Sequence, residues 1–184
     1  MLGGGVSVKH MILVVVDQEP AGAYALKQQI DNWTGGQWSV NIGQISQTLT
    51  RLERDGLVEI VGETASGARV AELYGITPAG LEELEAWWRT PLTKSDRDRD
   101  DLVMRVLAAM QSEKVDVSAV IQLQRKDPLR ALAKATRELR QLDASELASF
   151  MILQRRIFEL DSESRWLDHI EQTVAKLARR KDRP

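Results

Sequence analysis

The segment from Asn41 to Gly80, NIGQISQTLTRLERDGLVEIVGETASGARVAELYGITPAG, constrains the fold more than any other part of this chain. Asn41 can cap a helix, with Gln44 three residues later reaching back as in a capping box. Ile45, Leu49 and Leu52 then recur at helical spacing, so one stripe of that helix must face a core. Asp55-Gly56 stops it, because glycine enters the left-handed backbone of a C-cap without steric cost. Two β-rich stretches follow, Leu57–Val61 and Val70–Tyr74, separated by Gly62–Arg69 with its Thr-Ala-Ser-Gly turn. Thr77 caps a further helix with Pro78 in its first turn, and that helix runs through Leu81, Leu84 and Trp87-Trp88 to Thr90-Pro91.

Helix, stop, β-ribbon, helix is the layout of a winged helix-turn-helix, which offers one helix to the major groove of DNA and a hairpin to the flanking backbone. Upstream, Val8 to Val16 is apolar almost all round and reads as a buried first helix, ended by Asp17-Gln18-Glu19-Pro20. Ala23 to Ile30 reads as a second helix with Tyr24, Leu26 and Ile30 inward. Thr34-Gly35-Gly36 breaks it, with Trp33 and Trp38 beside the break. The charged, alternating-sign segment Thr93–Asp101 is the expected boundary between a winged domain (1–92) and a second domain (93–184).

Everything beyond that boundary reads as helix. Asp100/Asp101 to Met110 and Val115 to Lys126 are amphipathic, and Asp127-Pro128 either kinks the second or opens a new one. Leu129, Leu132, Thr136, Leu139 and Leu142 form a stripe. A last helix runs from about Ser145 to Arg180. Leu147, Phe150, Leu153, Ile157, Leu160, Leu167, Ile170, Val174 and Leu177 recur in it mostly at spacings of three and four, with Ser164 interrupting the stripe. So long a helix in so small a domain is buried more easily in a dimer than in a monomer. The expected fold class is therefore mainly α with a small β-wing, an N-terminal winged helix-turn-helix followed by a C-terminal helical dimerisation domain.

Several chemistries are excluded by what the chain lacks. It has no cysteine, which removes disulfides, thiolate zinc sites and thiol catalysis. Its two histidines, His10 and His169, are far apart in sequence, so no metal site is expected. No carboxylate is paired with a histidine or a glycine-rich loop, and Gly3-Gly4-Gly5 follows no strand and reads as a flexible end. No catalytic residue and no cofactor are expected. The apolar run Met11–Val16 is far short of the ~20 residues of a membrane span, and a cytoplasmic location is the default.

Charge argues against the nucleic-acid reading. The whole chain has a net charge of −2. Within Ser39–Gly75 three bases, Arg51, Arg54 and Arg69, face five acids, Glu53, Asp55, Glu59, Glu63 and Glu72. Phosphate neutralisation normally carries much of a DNA binder's affinity. The reading holds if the acids face away and the arginines face the duplex. The alternative is a winged-helix protein–protein module without DNA binding.

With Ile45, Leu49 and Leu52 inward, the helix surface is left to Gln44, Ser46, Gln47, Thr48, Thr50, Arg51 and Arg54. Arg51 and Arg54 can meet phosphates or a guanine edge, or else pair with Glu53 and Asp55 on a solvated face. Gln44, Gln47 and Thr48 lie toward the helix start, where base edges are normally reached; the plain alternative is solubility. Asn41 and Ser46 are also expected on the DNA-binding surface. Ser66 and Arg69 sit at the wing, where minor-groove or phosphate contact is expected; the alternative for Arg69 is a free surface charge. Trp87 and Trp88 are adjacent and point about 100° apart on a helix, so they are unlikely to share one core, and one of them is expected at a dimer contact or an effector pocket. Lys176, Arg179, Arg180, Lys181 and Arg183 form a basic tail.

Three stretches carry a family resemblance. Gln44-Ile45 with Leu49, then Leu52-Glu53-Arg54-Asp55-Gly56-Leu57-Val58, and finally Tyr74-Gly75-Ile76-Thr77-Pro78-Ala79-Gly80 resemble the PadR family of bacterial transcriptional regulators. Pro20 to Leu26 is similar to that family's turn into its second helix, and Glu163 to Leu167 to the branch with a long C-terminal helical domain. The resemblance implies a homodimeric repressor on a pseudo-palindromic operator in double-stranded DNA, often released by a small hydrophobic or aromatic effector. It also implies that the first and last helices build the dimer, which puts Met11, Phe150, Ile157, Leu160, Leu167, Ile170 and Val174 at the interface. The chain departs from the family pattern at Ser46, where a longer tyrosine is usual, and at Ala23, where glycine is usual.

Overall fold

A computed structural model describes residues 6–38, 40–66, 69–92, 101–143 and 145–181; at 6, 7, 65, 66, 69 and 178–181 only the backbone is described. The chain is mostly helical and forms two compact units, Met1–Val117 and Ser118–Pro184.

The first unit is built around α1 (Val6–Gln18). Met11 to Val16 are all buried, as expected of a helix that is apolar on every side. Around α1 pack α2 (Ala23–Trp33), α3 (Ile42–Arg54), α4 (Pro78–Arg89) and α5 (Asp101–Gln111). Strands β1 (Val58–Ser66) and β2 (Arg69–Ile76) form the two-stranded antiparallel wing, in a register that sets Val58 opposite Ile76 and Glu63 opposite Glu72. A bulge between Ile60 and Gly62 re-aims the outer ribbon. The strands extend to Ser66 and Arg69, so the segment 62–69 read as a connection is largely paired ribbon. Helix α5 packs on α1 and α2, which carries the first unit past the expected 92/93 division. Of the charged segment Thr93–Asp101, only Asp101 is among the described residues, as are none of Gly3-Gly4-Gly5.

Two packing details explain local sequence. Gly56, with φ of 71°, turns the chain from α3 into β1. Gly80 has no room for a side chain: a Cβ there would lie 2.1 Å from the Leu57 carbonyl oxygen and 2.7 Å from Ile76 Cγ1. Thr77 fixes the same corner. Its hydroxyl donates to Gly56 O at 2.6 Å and accepts from Gly80 N at 3.0 Å.

The second unit consists largely of α6 (Val117–Gln141) and α7 (Leu147–Lys181). Asp127-Pro128 does not end α6; Pro128 lies inside one continuous helix. Glu171 of α7 accepts from Ser118 Oγ and Gln122 Nε2, both at 2.9 Å, and from Arg125 Nη2 at 2.8 Å. These hydrogen bonds hold its carboxyl down at about 2, well below the ordinary glutamate value. Ser164 lies on the same seam as the buried Leu160 and Leu167, its hydroxyl donating to Leu160 O at 2.9 Å, so it continues the seam rather than breaking it.

Candidate nucleic-acid interface

Helix α3 is presented outward by its own sequence. Ile45, Leu49 and Leu52 are buried on one side, and Gly43, Ser46, Gln47, Thr50, Arg51 and Arg54 are exposed on the other. The start is fixed by a complete capping box: Gln44 N donates to Asn41 Oδ1 at 2.8 Å, and Asn41 N donates to Gln44 Oε1 at 3.3 Å. The preceding turn holds Thr34, whose hydroxyl donates to Ile30 O at 3.0 Å, and Trp33 and Trp38 pack against the core beside it. Arg51 and Arg54 lie in the last turn, where cations complement the helix dipole.

The sequence-predicted contacts do not stand equally. Gln47 and Arg51 lie on the outer face. Gln44 and Thr48 are half-buried and turned to local work, Gln44 in the capping box and Thr48 with its hydroxyl donating to Gln44 O at 2.7 Å. Ser46 is exposed. Arg54 is engaged by its neighbour, with Nε 2.9 Å and Nη2 2.8 Å from Asp55 Oδ1. Ser66 and Arg69 close the paired part of the wing, and their side chains lie outside the described residues.

The acids are also on the surface. Glu53, Asp55, Glu59, Glu63 and Glu72 are all exposed. Tyr74, on β2, donates its hydroxyl to Glu72 Oε2 at 2.6 Å; burial and then this carboxylate raise the phenol to about 12, so it stays protonated.

Tyr24, read as inward, is 64% exposed. Residues two apart on a helix point about 200° from each other, so with Leu26 and Ile30 buried Tyr24 faces out. It sits in the first turn of α2, whose N-cap Gly22 supplies no side-chain hydrogen bond. The helical wheel was the signal that could have found it.

The Trp87-Trp88 pair divides. Trp87 is buried in the core and Trp88 is half-buried against it, their rings 4.4 Å apart. Glu83, one turn earlier, accepts from Lys9 Nζ at 2.6 Å and lies 3.2 Å from His10 Nε2; the Lys9 hydrogen bond leads in lowering its carboxyl pKa. Among the residues expected at a dimer interface, Met11 is 0% exposed and enclosed in the core of one unit, and Leu160 and Leu167 are also buried within a single chain. In the single chain these three side chains are covered by their own neighbours. Ile157, Ile170 and Val174 are half-buried, and Phe150 is exposed. Sequence reasoning passed over Met151 and Phe158, which are exposed with Leu147 on the face of α7 opposite Leu160 and Leu167. Among the described residues no group of His, Asp and Glu could hold a metal, and no helix is long and apolar enough to cross a membrane.

A capped helix with a polar outer face, preceded by a helix and turn and followed by an antiparallel ribbon, defines a winged helix-turn-helix, a class of DNA-binding domain. Residues 12–86 match the transcriptional regulator PadR-like family. No curated protein matches the chain by sequence. Solved structures similar to it include Bacillus subtilis PadR in complex with operator DNA, at 17% identity over 90% of this chain and 98% of that one, with a TM-score of 0.41. The same protein in complex with p-coumaric acid is 16% identical over 92% and 99%, with a TM-score of 0.39. A PadR-like transcriptional regulator from Bacillus cereus is 20% identical over 92% and 98%, with a TM-score of 0.38.

Proposed function

We propose that this PadR-like regulator is a homodimeric repressor that binds a pseudo-palindromic operator through α3 of each copy. The observation that carries the reading is the outer face of α3, with Gln47 and Arg51 exposed on a helix whose opposite side is anchored by Ile45, Leu49 and Leu52. Gln47 reads a base edge and Arg51 meets a phosphate or a guanine, which a guanidinium binds through two hydrogen bonds. Tyr24, exposed beside the uncapped start of α2, meets the backbone phosphate that a helix N-terminus favours. Two such helices enter successive major grooves when they stand roughly 34 Å apart.

The dimer is proposed to form through the exposed apolar stripe of α7, Leu147, Met151 and Phe158 with Phe150 at its edge. A small aromatic effector is proposed to act at Trp88 rather than Trp87, since Trp87 is buried. Relief of repression requires that the effector bind the DNA-competent and DNA-incompetent forms with different affinity.

The decisive experiment selects bound fragments from the source genome and measures affinity for the selected duplex across a salt series. The expected result is tight binding that falls steeply with salt and is weakened by Arg51→Ala, with the loss shrinking as salt rises. Unchanged affinity of Arg51→Ala at low salt overturns the placement of α3. The second reading, an interaction module, is favoured by the five exposed acids around α3 and the wing. It predicts no binding to any duplex even at low salt.

A further inference from the structure

Asp55 occupies the wrong end of a helix for an acid. It is the C-cap of α3, with its N–H donating to Arg51 O at 2.9 Å, and a carboxylate there faces the negative pole of the helix dipole. Local rules broken without an evident structural gain tend to mark functional positions. The gain to stability from its pairing with Arg54 is small. The Asp55 carboxylate receives Arg54 Nε at 2.9 Å and Nη2 at 2.8 Å on the same oxygen, and both side chains are at least half exposed. The carboxylate is nevertheless well placed, because Gly56 at φ 71° and the cap hydrogen bond fix the backbone on which it stands.

We propose that Asp55 is a specificity-determining residue. It holds the Arg54 guanidinium and competes with phosphate for it, so that random duplex receives one cation fewer from each α3. The correct operator presents an acceptor good enough to replace the carboxylate, and Arg54 then transfers from Asp55 to DNA. The inference rests on the DNA-binding reading given above. It explains how a reading helix that carries only Arg51 and Arg54 as bases can sit beside exposed acids and still discriminate: the acid nearest the helix end suppresses backbone binding more than operator binding.

The test uses the full chain, a random-sequence duplex and the selected operator, with affinity read by fluorescence anisotropy over a salt series. Asp55→Asn keeps the size of the side chain and removes its charge. It is expected to bind the random duplex about tenfold more tightly at low salt, with a salt slope steeper by about one ion per recognition helix. Operator affinity is expected to rise much less, so the specificity ratio falls. In the double variant Arg54→Ala/Asp55→Asn the gain on random duplex is expected to vanish. Unchanged random-duplex affinity in Asp55→Asn, or a gain that persists in the double variant, overturns the proposal while Arg51→Ala still reports DNA binding. If neither the wild-type chain nor Asp55→Asn binds any duplex, the DNA-binding reading falls and this proposal with it. Thermal melting of each variant checks that the fold is intact.

Discussion

The imidazole of His10 lies face to face with the indole of Trp87, their ring centroids 4.5 Å apart and their planes 2° from parallel. The Arg105 guanidinium lies 4.7 Å from the centroid of the same indole. Trp87 thus joins α1, α4 and α5 through one side chain, while Trp88 is half-buried beside it. Truncating Trp87 to alanine is expected to cost about 3–5 kcal/mol, as for other large aromatic deletions in cores. Trp88→Ala is expected to cost about 1 kcal/mol, the usual scale for a partly exposed position. Urea midpoints of the two variants decide this; equal losses contradict the division of the pair into a core member and an outer member.

Gly80 makes a sharper case, because the obstacle to a side chain is backbone. A Cβ placed 2.1 Å from Leu57 O cannot be accommodated by a rotamer change; either α4 or the start of β1 must move. Gly80→Ala, which favours a helix in isolation by roughly 1 kcal/mol, is therefore expected to lower stability instead. The loss is expected at about 1–3 kcal/mol, the range for overpacked sites. A thermal midpoint equal to or above that of the wild type refutes the close contact between α4 and β1.

Asn41 illustrates how one residue can serve both fold and site. Its side chain accepts from Gln44 N, and it was also expected to approach DNA. Asn41→Ala is expected to destabilise by about 1 kcal/mol through loss of the cap. Asn41→Asp keeps the cap and adds a negative charge at the positive end of α3, so stability is expected to hold while affinity for DNA falls. If Asn41→Asp loses stability as Asn41→Ala does, the cap is not what the side chain contributes.

The elements of the first unit were legible because each carried its own punctuation. Asn41 and Gln44 marked the start of α3, Gly56 its end, and Thr77-Pro78 the start of α4, and each does in the structure what those residue types do locally. What was not legible depended on which chain fills a surface. An apolar stripe in a sequence states that a side chain is covered and does not state by what, so Met11, Leu160 and Leu167 read as dimer contacts although their own chain covers them. Tyr24 failed for a different reason: an aromatic residue was assigned inward by type when its angle from Leu26 placed it outside. The engagement of Arg54 by Asp55 and of Thr48 by Gln44 O was also out of reach, since an outward position does not reveal whether a neighbour already holds the group.

The clasp in the second unit ties helix pairing to pH. Glu171 of α7 accepts from Ser118, Gln122 and Arg125 of α6 or its first turn, and Arg125 Nη2 also lies 2.8 Å from Asp168. The hydrogen bonds from Gln122, Arg125 and Ser118 favour the carboxylate, so its folded value of about 2 lies below the ordinary 4.5. A group depressed on folding contributes stability that is present above its unfolded pKa and is lost as pH falls toward its folded pKa. The contribution of Glu171 is therefore complete above 4.5 and disappears on the way down to about 2. Glu171→Gln retains an acceptor oxygen but no charge, so it is expected to be less stable than the wild type near neutrality and to lose less stability on acidification through that window. The site is open to solvent, so the difference is expected to shrink as salt screens the Arg125 pairs. Thermal melts followed by far-UV circular dichroism at several pH values measure both chains. Parallel curves across the window, with no convergence at the acid end, contradict a charged role for Glu171 in holding α6 to α7.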